Sequence, residues 1–378
     1  MIGPAAPNGR RGLRRLAFFL HLATGLGLGL WLVLVAFTGG LIVFRAEIED
    51  VLHRPLTRVP KGGGWTELQP VLDRARAAFP GATFHTVNLP TAPDRSLSFW
   101  GHDSSNRSFH VFANPFTGDL LGADHADDNP TEWLYLFHAQ LLCGGIGERI
   151  NGLGALAWVT LLGSGLVLWM PRKGRPWRDG FLVRWRAQTG RRLYDLHRAA
   201  GIWSALPLLV VVVTGAYFPF NAPFRWLAET VTGTTAAENS PARPTGRPGT
   251  PDVSLDAVLA AAENVHPEVP PNWIHLPEHS HDNFVVRKRL PGEWRSEGSN
   301  HLHVDPASGT LVRADLHADR TPAQRLLRAI FPLHVGSFGG TGTRVLWAVL
   351  GLVPALLLGT GFPLWRWRNR NTPNHQSP

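Results

Sequence analysis

Long apolar stretches occur four times along the chain, and polar segments of very different length separate them. The stretches run from Leu16 to Phe44, from Leu153 to Met170, from Ala199 to Phe220 and from Val345 to Trp365, and they are almost free of charge. Each approaches the roughly 20 residues that a helix needs to cross a bilayer core. The first is too long for the apolar part of a signal peptide, so we expect it to remain uncleaved. The pattern predicts an α-helical membrane protein with four transmembrane helices.

Two long polar segments, residues 46–130 and 221–325, are inserted between these stretches. Each opens with a helical pattern, at Trp65 to Phe79 and at Ser254 to Val265. Alternating polar and apolar positions then predict short strands, and a Pro after an Asx residue predicts a turn before the last strand. Four of the strands are expected at Leu97 to Trp100, Ser108 to Phe112, Asn283 to Arg287 and His301 to Val304. We therefore expect two extramembrane α+β domains.

The chain contains the same unit twice, and the match is in spacing as well as in composition. One histidine at the start of each half is followed by Gly at +4 and by Thr-Gly at +17 and +18, and a second by Gly at +25 and +27 and by Trp at +31. The transmembrane helices therefore form two duplicated pairs. The matching sets are His21, Gly25 and Thr38-Gly39 with His197, Gly201 and Thr214-Gly215, and His138, Gly163, Gly165 and Trp169 with His334, Gly359, Gly361 and Trp365.

Positive charge is concentrated on one side of the predicted membrane. The net charge is +9, and sixteen basic but only two acidic residues lie in the N-terminal tail, in residues 171–198 and at the C-terminus. Because cytoplasmic loops carry an excess of Lys and Arg, we expect both termini in the cytoplasm and both inserts in the periplasm, across a bacterial inner membrane. This topology explains the basic composition without a nucleic-acid partner.

The predicted order of segments follows from the spans and the charge. It is an N-terminal tail with the first transmembrane helix (1–45), a periplasmic domain (46–130), the second helix (131–170), a basic cytoplasmic loop (171–196), the third helix (197–220), a second periplasmic domain (221–325), the fourth helix (326–367) and a cytoplasmic tail (368–378).

Four histidines lie at the ends of the predicted helices. Helices one and three run outward, so His21 and His197 share the cytoplasmic end, while His138 and His334 share the periplasmic end. Ionisable side chains at membrane depth are costly and usually functional, and a neutral imidazole is a good axial ligand for haem iron. Because Cys143 is the only cysteine, any haem would be bound without covalent attachment. Each pair is therefore a candidate site for one non-covalent b-type haem.

Other interpretations of the histidines remain open. The four could be ordinary interfacial residues, a proton relay or a zinc site, although two histidines without Cys or carboxylate partners make a poor zinc set. Five arginines are candidates for pairing with haem propionates: Arg14, Arg15 and Arg198 on the inside, and Arg149 and Arg344 on the outside. A further group in the second insert could bind a metal, although solvated loop histidines are the simpler interpretation; its members are His275, His279, His281, His301 and His303.

These residues together resemble the PepSY-associated transmembrane helix family, also described as iron-regulated membrane proteins. The resemblance extends from His21 to Trp365 and is carried by the four-span layout, by Phe137-His138, by Leu196-His197-Arg198 and by the two insert ends, Asn114 to Leu120 and Asp305 to Leu311. It implies PepSY-like inserts and an inner-membrane ferric-siderophore reductase. It also implies that His21 and His197 ligate one haem and that His138 and His334 ligate the other.

The leading hypothesis is therefore a haem-dependent oxidoreductase that reduces a ferric siderophore in the periplasm. The chain has no G-x-G-x-x-G nucleotide motif, so the electron donor is expected to be a quinol or another redox protein. One alternative is a sensor or assembly protein that binds a peptide or protein through its PepSY-like inserts and needs no haem. The other is a transporter, which is less favoured because no span carries a central Asp or Glu.

Overall fold

A computed structural model describes residues 8–172, 174, 176–237, 253–279 and 282–370 of the chain. The chain divides into two compact units. The helical unit comprises Met1–Val43, Leu134–Pro223 and Leu333–Pro378, and the sheet unit comprises Phe44–Trp133 and Phe224–Pro332. Each unit thus combines segments from both halves of the duplicated sequence.

The helices and strands of the described residues are numbered in chain order. The helices are α1 (Asn8–Gly27), α2 (Gly29–Ile42), α3 (Arg45–Leu52), α4 (Arg54–Thr57), α5 (Leu68–Ala78), α6 (Pro130–Gln140), α7 (Gly144–Trp169), α8 (Thr189–Tyr217), α9 (Asn221–Thr232), α10 (Leu255–Glu263), α11 (Pro322–Val335), α12 (Gly340–Leu350) and α13 (Val353–Arg370). The strands are β1 (Thr83–Asn88), β2 (Leu97–His102), β3 (Ser108–Ala113), β4 (Leu120–His125), β5 (Pro271–His275), β6 (Phe284–Lys288), β7 (Asn300–Val304) and β8 (Leu311–Asp315).

Within the described residues, three helical segments are long and apolar enough to cross a membrane, and a bent pair could supply a fourth span. The three are Gly144–Trp169, Thr189–Tyr217 and Ser337–Arg368, and the pair Arg11–Gly27 and Gly29–Ile42 is bent by 66°. The expected first span is therefore broken at Leu28. Glycine on both sides of Leu28 explains the break, because Gly weakens the interior of a helix.

The periplasmic histidines of the sequence prediction lie on separate helices that precede the long spans. His138 is on α6, which ends at Gln140. The next two residues, Leu141 and Leu142, have positive φ angles of 49° and 59°. His334 is on α11, which ends before Gly336 at φ 74°. Residues 131–170 and 326–367, each predicted as one transmembrane helix, are therefore divided in the structure.

The sheet unit contains one antiparallel sheet of eight strands in the order β4-β3-β2-β1-β5-β6-β7-β8. The predicted strands of both inserts are present, but the two inserts are not separate modules. They join through β1 and β5, where Val87 stands opposite Ile274. This pairing gives β1 and β5 each a second hydrogen-bonded neighbour, and it leaves β4 and β8 as the outer strands.

One face of this sheet packs on α5 and α10. Positions alternate strictly in β3 and β7, so Val111 and Leu302 are fully buried while their neighbours face the other side. The core contains residues from both inserts, including Val71 of α5 and Val258 of α10. The opposite face carries mainly histidine, tryptophan and arginine side chains at the intervening positions, which leaves it polar and half-exposed.

The two helices also cap each other across the repeat. The carboxylate of Asp256 accepts hydrogen bonds from the backbone N–H groups of Leu68 (2.7 Å) and Gln69 (3.0 Å) at the start of α5. In return, the side-chain oxygen of Gln69 accepts a bond of 3.1 Å from the backbone N–H of Leu255 at the start of α10. Free N–H groups at helix starts need such partners, so each insert completes the other.

Candidate functional site

Two pairs of histidines face each other inside the helical unit. His21 of α1 and His197 of α8 have ring centroids 6.1 Å apart, with an angle of 81° between the ring planes. His138 of α6 and His334 of α11 have ring centroids 6.1 Å apart at 40°. All four side chains are half-buried. The pairs are those that the sequence analysis expected from topology.

The spacing within each pair suits one shared metal ion. An imidazole nitrogen about 2 Å from an ion on each side would leave the two ring centroids about 6 Å apart. Two such histidines could together hold one haem iron. The observed 6.1 Å in both pairs matches that distance.

Each histidine is oriented by a backbone carbonyl oxygen that lies close to its Nδ1. The partners are Leu161 for His21 (3.2 Å), Leu357 for His197 (3.1 Å), Val35 for His138 (2.9 Å) and Val211 for His334 (3.1 Å). A carbonyl oxygen only accepts, so Nδ1 must carry the proton and donate. This tautomer leaves Nε2 unprotonated and able to bind a metal.

The four supporting segments share one local sequence pattern. The residue whose carbonyl accepts the hydrogen bond is followed by a hydroxyl residue at +3 and a glycine at +4. The four sets are Val35, Thr38 and Gly39; Leu161, Ser164 and Gly165; Val211, Thr214 and Gly215; and Leu357, Thr360 and Gly361. Three of the hydroxyls also lie within hydrogen-bond distance of the imidazole: Ser164 at 3.0 Å, Thr360 at 3.0 Å and Thr214 at 3.2 Å. Thr38 instead donates to carbonyl oxygens of its own helix.

The glycine of each set makes room for the imidazole ring. A Cβ atom at Gly39 would lie 2.6 Å from Cε1 of His138, and one at Gly215 would lie 3.0 Å from Cε1 of His334. The corresponding distances at Gly165 and Gly361 are 3.2 Å to His21 and 3.1 Å to His197. The sequence analysis found these glycines by their spacing, but it did not assign them to the rings. The repeated hydroxyl-Gly pair was the signal.

Three of the five arginines considered as propionate partners have structural roles in the helical unit. Arg14 donates to the carbonyl oxygens of Leu168 (2.8 Å) and Met170 (3.0 Å), and Arg198 donates to that of Trp169 (2.7 Å). These bonds satisfy carbonyl groups at the end of α7 that have no partner within the helix. Arg344 donates similarly to Val43 (2.6 Å).

The described histidines of the second insert do not form the single cluster considered from sequence. His275 lies beside His85 of the first insert, whereas His303 pairs with Asp315 at 2.9 Å and His279 with Asp282 at 3.1 Å. His301 shares β7 with His303. His281 lies outside the described residues.

Comparison with known proteins agrees with this architecture. A family model described as a PepSY-associated TM region matches residues 18–368. A curated relative, the uncharacterized protein PA4219 of Pseudomonas aeruginosa, is 28% identical over 265 residues. The alignment covers 63% of this chain and 63% of that protein, so the chain matches less than two thirds of its relative's length.

Proposed function

The chain belongs to the PepSY-associated transmembrane family, and we propose that it is a di-haem electron-transfer protein that reduces a ferric siderophore. The observation that supports this proposal best is the geometry of the two histidine pairs. Both have the same 6.1 Å separation, and all four imidazoles have a proton-donating Nδ1 and an available Nε2. Ordinary interfacial histidines would have no reason to share that arrangement four times.

In this proposal His21 and His197 hold one haem, and His138 and His334 hold the other. The bound haems would supply reversible one-electron chemistry. The protein holds each imidazole in one orientation through the carbonyl and hydroxyl groups around Nδ1. A hydrogen bond from Nδ1 to a carbonyl also raises the basicity of the ligating nitrogen. The glycines keep the adjoining helix close to the ring.

The position of the pairs along α8 suits transfer across a membrane. His197 lies near the start of α8, and Gly215, which contacts the ring of His334, lies eighteen residues further along the same helix. At 1.5 Å per residue these points are about 27 Å apart along the axis. A bilayer core is roughly 30 Å thick, so the two pairs lie near opposite ends of a spanning helix.

The substrate proposal follows from the chemistry of iron. A siderophore binds Fe(III) through hard oxygen donors, and Fe(II) is a softer ion that such ligands hold less tightly. Transfer of one electron to the chelate therefore favours release. The electron would come from a quinol, which gives two electrons and two protons in all, or from a reduced redox protein. The acceptor side would be the periplasm of a bacterial inner membrane.

The test is spectroscopic and uses the full chain purified in detergent. Oxidised and dithionite-reduced absorption spectra, with a quantified haem content, should show two low-spin haems per chain. His138→Ala and His197→Ala should each lose one haem, whereas His279→Ala, which changes an exposed histidine, should keep both. Purified wild type should then reduce a ferric siderophore when a chemical donor is supplied.

A colourless protein after expression with ample haem would contradict the proposal. A sensor that binds a peptide through the sheet unit would then be the leading hypothesis. Two haems without siderophore reduction would retain the electron-transfer function and reject the acceptor.

A further inference from the structure

A second group of potential metal ligands lies in the sheet unit, far in sequence from the four histidines described above. It occupies the polar face of the sheet at the joint between the two inserts. His85 comes from β1, His275 from β5, and Glu278 from the segment after β5. One ligand atom from each of these three side chains lies within 4.8 Å of the other two.

We propose that His85, His275 and Glu278 bind a divalent first-row transition ion. Two imidazoles and one carboxylate are a ligand set found for both Zn²⁺ and Fe²⁺, with open positions left for water or another ligand. An ion about 2 Å from each donor would bring the donors about 3.3 Å apart in a tetrahedral arrangement. Glu278 is exposed, so its side chain has room to rotate toward the two imidazoles.

The contacts around the three residues favour a metal site over a chance cluster. Nδ1 of His85 lies 3.1 Å from the hydroxyl of Thr86, which orients the ring. His275 stacks on Trp273 with ring centroids 5.6 Å apart and planes 6° apart, and its Nε2 lies 3.6 Å from a carboxylate oxygen of Glu278. His102 lies 5.3 Å from His85 between ring centroids and could supply a fourth ligand.

The protonation state of His85 agrees with this arrangement. Burial lowers the pKa of His85 below its ordinary value, and the nearby His102 and His275 act in the same direction, while Glu278 opposes them. This shift favours the neutral imidazole, which is the form that binds a metal.

The site would link the two halves of the sheet. Thr86 and His275 are direct partners in the β1–β5 pair, and Leu276 donates a backbone hydrogen bond of 2.9 Å to the carbonyl of His85. A bound ion would therefore cross-link two inserts that are distant in the sequence. The proposal does not depend on the haem function, since none of its ligands belongs to either histidine pair of the helical unit.

The experiment is equilibrium dialysis of the full chain, purified without a polyhistidine tag and washed with a chelator. Zn²⁺ is one probe, and Fe²⁺ under anaerobic conditions is the other. Wild type should bind one equivalent with saturation, and the ion with the higher affinity identifies the preferred metal. His85→Gln and His275→Gln should each weaken that binding at least 10-fold. Glu278→Gln should also weaken it, and because Glu278 is exposed we expect this variant to fold.

His110→Gln is the matched control, because His110 lies on the same face but stacks on Trp100 with ring centroids 4.2 Å apart. It should bind the metal like wild type, and the haem content should be the same in every variant. The proposal is overturned if wild type binds no saturable equivalent. It is also overturned if Glu278→Gln and His85→Gln bind as wild type does, or if His110→Gln loses as much affinity as His85→Gln.

Discussion

Substitution of Gly39 by alanine tests the histidine geometry most directly. The added Cβ would lie 2.6 Å from Cε1 of His138, whereas carbon atoms in contact lie about 3.5 to 4.0 Å apart. The ring must therefore retreat by about 1 Å. Nδ1 of His138 is held 2.9 Å from the Val35 carbonyl, so the retreat breaks that bond or tilts Nε2 away from the partner histidine.

An iron–nitrogen bond near 2 Å does not survive a displacement of that size. If the chain binds two haems as proposed, we expect Gly39→Ala to contain one haem per chain in place of two, with the haem of the His21 and His197 pair retained. The assay is pyridine haemochrome quantification of purified protein, combined with reduced-minus-oxidised spectra to identify the remaining haem.

Gly163→Ala is the matched control, because a Cβ at Gly163 meets no atom within 4 Å. An alanine inside a helix is more stable than glycine by up to about 1 kcal/mol, so this variant should keep two haems and unfold at the same or a higher temperature. If Gly39→Ala keeps two haems with the wild-type spectrum, the close packing of His138 on Gly39 has no part in haem binding, and the argument from ring position is refuted.

Two further predictions concern one supporting hydroxyl and one buried histidine. Thr214→Val removes the hydroxyl 3.2 Å from Nδ1 of His334 but keeps the Val211 carbonyl. In titrations of the apoprotein, haem should still bind, with an affinity about 10-fold to 100-fold lower. An unchanged affinity would contradict the role of the hydroxyl. Burial lowers the pKa of His301 to about 3, with Arg328 and Arg320 acting in the same direction. Between about pH 6.5 and about pH 3 the unfolded chain therefore carries a proton on this histidine that the folded chain lacks. The free energy of unfolding decreases as the pH is lowered through that range, by at most about 1.4 kcal/mol per pH unit. Melting temperatures from pH 8 to pH 5 should fall less steeply in His301→Gln, and equal slopes would refute the assignment.

The sequence allowed prediction of the elements that have a strong local signal. Strict alternation in Ser108 to Phe112 and in His301 to Val304 identified β3 and β7, since each second side chain had to be buried. The apolar runs identified the long spans. The duplicated spacing identified the two histidine pairs, because equivalent positions in the two halves meet at the same end of the helices.

Other features depend on contacts that leave no local trace. The pairing of β1 with β5 joins distant segments, and a single sequence contains no pattern that selects that partner. Gly27 and Gly29 on either side of Leu28 weaken the helix there, but an apolar run alone does not distinguish a bent helix from a straight one. The positive φ angles of Leu141 and Leu142 could not be predicted, because leucine rarely adopts them.

The joint between β1 and β5 also indicates how such a chain could have arisen. Val87 and Ile274 are equivalent positions of the repeat, each followed two residues later by Leu-Pro, and they stand directly opposite in an antiparallel pair. Such a contact of a segment with its own copy has local two-fold symmetry, as in the interface of a homodimer. The histidine pairs have the same property.

A gene of half this length could therefore have encoded a symmetric dimer with the same sheet and the same pairs. Fusion of two copies frees the halves to diverge, and the proposed metal ligands record that divergence. The repeat equivalents of His85 and His275 are Asn272 and Asn88, so a symmetric ancestor would have had the histidine ligands twice or not at all. Only the fused chain can carry them on one side of the axis.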